Sequence, residues 1–296
     1  MKTLLFIYNP TAGKGRVKTH LASVLEGFAR AGFRTTIHFT RGKDDAAAVA
    51  AELGSQFDRV VCCGGDGTLN EVVTGLMQLP APPPLGYIPA GTTNDSAKNF
   101  HIPRGIEQAA ATAVFGVPRP CDMGLFNGRP FVYVAAFGAF TQVAYDTPKE
   151  LKSLFGHLAY VMAGAASLPT IQPYTLKIEH DGGTVTGNFI YGMVSNTVSV
   201  GGFAMFPPSE VQLDDGLHEV MLVREMRTPA DLQHLVQSLI QRKPVGRDEV
   251  LVLHTSHLSI TSKTPVPWTL DGEYGGAPTQ VEIVNRSKAI SVACGK

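Results

Sequence analysis

Hydrophobic and polar positions follow two different rhythms along the chain. In the first part, short apolar runs alternate with segments of helical period. Residues 4–8 form an apolar run of strand length. Leu21, Val24, Leu25 and Phe28 recur at helical spacing, which predicts an amphipathic helix over 17–31. Residues 35–39 predict a second strand, the Ala-rich 45–53 a helix, 59–63 a buried strand ending at glycines, 68–77 a helix and 86–88 a further strand. This βαβα rhythm predicts a parallel sheet covered by helices on both faces. Ligands of such sheets sit beyond the carboxyl ends of the strands.

The second part changes character. Residues 131–140 and 176–180 read as strands, and Asp181-Gly182-Gly183 as a hairpin turn leading into 184–194. Strand patterning continues at 219–223, 251–254, 258–261 and 281–284, interrupted by helical segments at 151–167 and 229–241. An antiparallel β domain with few helices is expected. The boundary is placed between 117 and 131, in the stretch Val117-Pro118-Arg119-Pro120.

Composition sharpens this picture. The chain has 296 residues, enough for two cores, and 44% are hydrophobic against 17% charged, which excludes a disordered chain. The formal net charge is zero, so nothing global draws the protein to nucleic acid. Cys62, Cys63, Cys121 and Cys294 include no CxxC pair, which disfavours a zinc site and favours buried free thiols in a reducing cytoplasm. The apolar start of the chain is too short for a signal peptide and is broken by Asn9-Pro10. The apolar stretches at 131–140 and 159–168 fall short of the ~20 residues a membrane-spanning helix needs. A lipid substrate would therefore be reached by visiting a membrane surface.

Three strand-end loops carry candidate chemistry. Gly64-Gly65-Asp66-Gly67-Thr68 follows a buried strand and opens a helix. Glycines let the backbone approach a phosphate, and the helix start offers free N–H groups. Thr68 and Glu71 are spaced as a capping box, so a plain capped turn accounts for both. It does not account for Asp66, whose carboxylate would repel a phosphate unless a divalent cation intervenes. Asn9-Pro10-Thr11-Ala12-Gly13-Lys14-Gly15 is not a Walker A loop, because Gly15 stands where Ser or Thr is required. Alone it reads as an ordinary βα turn. Pro89-Ala90-Gly91-Thr92-Thr93-Asn94-Asp95 is a third such loop, and convergence of all three on one sheet edge is what favours a nucleotide.

Together these loops resemble the diacylglycerol kinase catalytic-domain family, in its soluble bacterial, Gram-positive form. The resemblance extends to Val200-Gly201-Gly202-Phe203, Leu213-Asp214-Asp215-Gly216-Leu217 and Leu270-Asp271-Gly272-Glu273-Tyr274-Gly275-Gly276, and so runs nearly the full length. It implies an N-terminal α/β nucleotide domain over 1–125 and a C-terminal antiparallel β-sandwich over 126–284. The active site would lie in the cleft between them, and the end of the chain, 285–296, would return to the first domain. It implies ATP contacts from Asn9, Pro10, Thr11, Ala12, Gly13, Thr40, Gly65, Asp66, Gly67, Thr68, Leu69, Asn70, Glu71 and Thr92. It implies that Asp66 and Asp122 hold a catalytic magnesium through water, and that Asp215 with the carbonyls of Gln212 and Leu217 holds a second one. Asp271 matches the family's base, with Glu273 beside it. A cytoplasmic enzyme bound peripherally at the inner membrane face is implied, and a homodimer is compatible. Ser96 stands where an aromatic residue is usual, and His218-Glu219 replaces a more apolar pair.

Phosphoryl transfer needs positioning, charge neutralisation and an acceptor for the hydroxyl proton. Asp271-Gly272 alone is a common turn. On an extended segment Asp271 and Glu273 would face the same side and raise one another's pKa, as suits a shared base. Phe203, Met205 and Phe206 are candidates to line an acyl-chain cleft, and Trp268 is expected in the core. The expected activity is transfer from ATP to diacylglycerol. The alternatives are another hydroxyl, of a sphingoid lipid, an undecaprenol-like lipid or NAD, and a silent lipid or nucleotide sensor. Four acids at one site argue against a sensor.

Overall fold

The computed structural model describes residues 1–92, 94–138, 172–197, 199–200, 203–204, 211–225 and 250–295. Strand β1 (Lys2–Tyr8) takes the centre of a parallel sheet because Leu4 through Tyr8 are all buried. Residues covered on both faces belong inside such a sheet. Its neighbours are β2 (Phe33–Phe39) and β3 (Arg59–Gly64), and β4 (Leu85–Pro89) pairs with β3, giving the order β2-β1-β3-β4. Helices α1 (Leu21–Arg30), α2 (Asp45–Leu53), α3 (Asp66–Leu76), α4 (Asp95–Asn99) and α5 (Ile106–Phe115) connect and cover it. The helix expected over 17–31 starts later, because residues Ala12–His20 wind as 3-10 turns; from Leu21 on, Val24 and Phe28 face the core as the spacing predicted.

Two long strands carry the chain into its second part. β5 (Val117–Phe126) pairs antiparallel with the chain's last strand through nearly its whole length, from Val117 opposite Cys294 to Phe126 opposite Ile283. The stretch Val117-Pro118-Arg119-Pro120 is thus strand. Between these two run β6 (Arg129–Phe131), β7 (Val134–Gly138), β8 (Tyr174–His180), β9 (Gly183–Ser195), β10 (Ser199–Val200), β11 (Phe203–Ala204), β12 (His218–Arg224), β13 (Val250–Thr255), β14 (His257–Ser262), β15 (Trp268–Leu270) and β16 (Glu273–Gly276), before β17 (Gln280–Cys294). β17 pairs with β14 near its start and runs parallel to β4 at Val292. The pattern at 281–284 revealed only its first third. Exposed Arg286, Ser287 and Lys288 interrupt the apolar alternation there, and the ladder to β5 shifts register across the same residues.

The second part is an antiparallel sandwich, so the chain combines a parallel α/β layer with a β-sandwich, as the two rhythms implied. Its core gathers Phe131, Phe137, Phe189 and Trp268; the Trp268 ring lies 5.0 Å from Phe126 and 4.8 Å from Phe137. All four cysteines are buried and free. The single strand expected over 131–140 is broken at Val132-Tyr133 into β6 and β7, and the reason is a buried carboxylate described below. The helices expected at 151–167 and 229–241, together with Gly201, Gly202, Met205 and Phe206, lie outside the described residues. No helix among the described residues is long and apolar enough to cross a membrane.

Helices α2 and α3 pack closely enough that a Cβ on Gly75 would overlap the Ala47 carbonyl and approach the Ala50 side chain to 2.8 Å. Gly75→Ala is expected to destabilise by about 1–3 kcal/mol through overpacking. Urea unfolding monitored by circular dichroism measures this, and an unchanged midpoint would refute the close contact.

Candidate functional site

The carboxyl ends of β1, β3 and β4 bring the three loops together. Asn9 ties the first to the second: its Nδ2 donates to Thr68 Oγ1 at 3.0 Å, while its Oδ1 accepts from the Thr11 amide and hydroxyl. Gly13 has φ +57°, and a Cβ there would overlap the Ala90 carbonyl oxygen of the third loop. The second and third loops touch at Gly65 and Gly91, where a Cβ on Gly91 would come within 2.7 Å of the Gly65 Cα. Pro10 and Ala12 lie half-buried in this cluster, Thr92 is exposed at its rim, and Thr40 is fixed at the end of β2 by the hydrogen bond its N–H donates to the Tyr8 carbonyl. Leu69 is fully buried.

Helix α3 begins at Asp66 with Gly65 as its cap. The capping box expected from Thr68 and Glu71 is therefore absent, since Thr68 lies already inside the first turn. Glu71 Oε2 instead accepts the Ala46 amide at the start of α2, 3.3 Å away. Asp66 accepts the amides of Asp95 and Ser96 at 3.2 and 3.3 Å. Burial, followed by the nearby Asp95 charge, pushes its carboxyl up to about 6.

Asp271 and Gly272 have φ +50° and +84° and close a two-residue hairpin between β15 and β16. Asp-Gly suits that turn, which needs two positive φ angles. The expectation of an extended Asp271–Glu273 segment is overturned by these angles, and the two carboxylates have different surroundings. Asp271 is 7% exposed. Its Oδ1 accepts the amides of Tyr133 and Val134 at 3.0 and 3.1 Å. Its Oδ2 accepts the Val132 amide and Asn70 Nδ2, both at 2.7 Å. Burial pushes its pKa up and these four donors oppose the shift. Wrapping three successive amides around a carboxylate is what breaks the strand between β6 and β7. Glu273 is exposed, and its Oε1 stands 3.2 Å from where a Cβ on Gly67 would be. It borders a cavity of about 110 Å³ shared with Gly67, Asn70, Glu71, Asp271, Lys43 and Arg129. The sequence carried no signal for Lys43 or Arg129, which belong to none of the motifs above.

Asp122 is buried in β5, opposite the interruption in β17. It accepts the Gly216 amide at 2.6 Å and the Lys288 amide at 2.7 Å. It also holds the loop 211–217, because its own amide donates to the Leu213 carbonyl. In that loop Asp215 Oδ1 accepts the Leu217 amide at 2.9 Å, while Gln212 and Asp215 are exposed. Asp66 and Asp122 share no hydrogen-bond partner, and among the described residues no three Asp, Glu, His or Cys side chains form a direct metal-ligand set. The loop nevertheless fits a hard cation. Glu219 is fully buried, neither carboxylate oxygen is hydrogen-bonded among the described residues, and burial followed by the Asp215 and Asp122 charges pushes it up to about 8. Asn285 Oδ1 and Asn196 Oδ1 are also buried without a donor. A surplus of oxygen acceptors suits magnesium.

Two family descriptions match the chain: the diacylglycerol kinase catalytic domain over residues 3–126, and a YegS C-terminal, NAD kinase beta sandwich-like domain over 135–294. A Bacillus subtilis protein named diacylglycerol kinase is 38% identical over 100% of this chain and 97% of its own. This chain belongs to the diacylglycerol kinase catalytic-domain family. A diacylglycerol kinase from Staphylococcus aureus is 36% identical over 93% of this chain and 87% of its own. Two Bacillus anthracis crystal structures superimpose on this family member with TM-scores of 0.84 and 0.79, at 25% and 24% identity, over 99% of this chain and 95% and 97% of theirs. They establish the fold. The family places the chain among the kinases, which are phosphotransferases.

The raised pKa of Asp66 makes a prediction about stability. Its ordinary value is 3.8 and its folded value about 6, so the folded chain holds more protons than the unfolded one between these. Stability therefore falls as pH rises through that window. In metal-free buffer the stability of Asp66→Asn relative to the parent is expected to shift in the variant's favour by about 1–2 kcal/mol between pH 4 and pH 7.5. Any offset that remains near pH 4 reports the one amide that Asn leaves without an acceptor. Urea curves across pH 4–8 that run parallel would refute it.

Proposed function

We propose that the chain is an ATP-dependent lipid kinase that phosphorylates the free hydroxyl of diacylglycerol to give phosphatidic acid. The observation that carries this is the position of Glu273, an exposed carboxylate standing over Gly67 in the first turn of α3. A group able to take a hydroxyl proton thus faces the helix end that suits a phosphate. The diacylglycerol kinases of Bacillus subtilis and Staphylococcus aureus support the choice of lipid.

In this proposal ATP lies along Asn9, Pro10, Thr11, Ala12 and Gly13, Thr40, the segment Gly65, Asp66, Gly67, Thr68, Leu69, Asn70 and Glu71, and Thr92. Asp66 and Asp122 would hold magnesium through water, and Asp215 with the Gln212 and Leu217 carbonyls a second ion; magnesium, when bound, neutralises charge on the phosphates. Glu273 takes the hydroxyl proton. Asp271 is a positioning residue, because its carboxylate is committed to four donors and fixes the turn from which Glu273 projects. Residues 1–125, with 285–296 returning to them, serve the nucleotide, and 126–284 serve the lipid. The enzyme works in the cytoplasm at the inner membrane face, and a homodimer is compatible with this scheme.

Radiolabelled ATP offered with diacylglycerol, ceramide, sphingosine, undecaprenol and NAD tests the substrate. Label is expected in phosphatidic acid; label in NADP alone would overturn the proposal. Glu273→Gln should lower kcat by about 10²–10⁴-fold, as loss of a general base does, and leave the urea midpoint unchanged. Asp271→Asn should also slow turnover, but with a stability loss of about 1–3 kcal/mol from the two donors left without an acceptor. A slow Asp271→Asn enzyme of unchanged stability would return the proton to Asp271.

A further inference from the structure

We infer that Lys43 and Arg129 form a cationic clamp that binds the nonbridging oxygens of the phosphoryl group as it passes to the acceptor hydroxyl. The inference rests on the kinase proposal. The cavity beside Glu273 lies between the start of α2, the first turns of α3, the β5–β6 connection and the Asp271-Gly272 turn. At about 110 Å³ it has room for a few waters, which suits a small polar group.

Charge decides what that group requires. The lining carries four carboxylates, Asp44, Glu71, Asp271 and Glu273, and two cations, Lys43 and Arg129. A phosphoryl oxygen bearing a unit charge about 5.5 Å from one carboxylate is opposed by about 3 kcal/mol at an effective dielectric of 20. Transfer next to Glu273 therefore needs positive charge aimed into the same space. Neither Lys43 nor Arg129 is engaged in an ion pair among the described residues. Arg129 is anchored by Nη1, which donates to the Tyr274 carbonyl at 3.3 Å, one residue beyond Glu273. The carbonyl of adjacent Pro130 accepts Asn70 Nδ2 at 3.3 Å. Arg129 is thereby tied both to the turn that carries Glu273 and to α3. Its remaining donors can take two phosphoryl oxygens in fork geometry. Lys43, which lines the same cavity, adds a point charge.

The step balances without further reagents. The bond between the γ-phosphorus and the bridging oxygen of ATP breaks, with its electron pair staying on ADP. A new bond forms to the lipid oxygen, and the hydroxyl proton passes to Glu273. The clamp neutralises the oxygens throughout.

Arg129→Gln, Arg129→Lys and Lys43→Gln should be assayed with diacylglycerol in mixed micelles, using ATP and ATPγS as donors. Arg129→Gln is expected to lower kcat by about 100-fold and Lys43→Gln by about 10-fold. The KM for ATP should stay within about threefold and urea midpoints should not move, as for losses confined to the transition state. Sulfur is a poor acceptor for a guanidinium, so the ATP-to-ATPγS rate ratio should shrink towards one in Arg129→Gln. Arg129→Lys should recover part of kcat, since it keeps the charge and loses the fork. Parent-like kcat in Arg129→Gln, or a lowered kcat with an unchanged ATP-to-ATPγS ratio, would overturn the clamp. A parent enzyme that labels no lipid would overturn the kinase proposal and the clamp with it.

Discussion

The Asp271 carboxylate ties together three stretches of chain that the sequence keeps far apart. It closes the β15–β16 turn, holds the amides of Val132, Tyr133 and Val134, and accepts the Asn70 side chain from α3. A carboxylate this deeply buried is tolerated only where hydrogen bonds replace its water. Each bond therefore fixes the element at its other end. The strand broken between β6 and β7, the aim of Glu273 and the seating of α3 against the sandwich all follow from this one group. Glu273 can remain exposed because Asp271 supplies the rigidity behind it.

The same device recurs at two other acids. Asp66 is held by the amides of Asp95 and Ser96, and Asp122 by those of Gly216 and Lys288. In each case a carboxylate from one segment, fully buried at Asp122 and half-buried at Asp66, collects backbone N–H groups from another. Asp122 joins the two long strands to the loop 211–217, so the oxygen-rich loop is fastened to the ribbon that runs between the parallel sheet and the sandwich. An acid-rich site built this way is stiff but electrostatically costly, which is why the two cations bordering Glu273 matter.

What could be read from the sequence divides by distance along the chain. The βαβα order and the three loops were legible because each depends on neighbours: glycines at a strand end, a helix start, an apolar run of strand length. The convergence of the loops needed only the rule that parallel strands present their carboxyl ends on one edge. Asp271 was legible as a residue and illegible as a structure, since its partners Val132, Tyr133 and Val134 lie 139, 138 and 137 positions away and offer only their amides. An amide leaves no mark in side-chain pattern, so the run 131–140 looked like one strand. The long β17 was hidden in the same way, by a polar interruption whose purpose is to hand the Lys288 amide to Asp122. Lys43 and Arg129 had no motif at all, and only folding brings them to one cavity.

Glu219 breaks the rule that the other buried acids obey. Among the described residues neither of its oxygens has a hydrogen-bond partner, and burial, followed by the Asp215 and Asp122 charges, lifts it to about 8. The neighbouring His218 is lowered to about 4 by burial and stays neutral, stacked against Phe131 at 5.6 Å. A more apolar pair would fill these positions at lower cost, because an unmet buried polar group is penalised by about 1–3 kcal/mol. The penalty falls at the end of the loop that carries Asp215 and Leu217. In the proposed function, a cation held at this loop would give these oxygens a partner and offset part of that penalty.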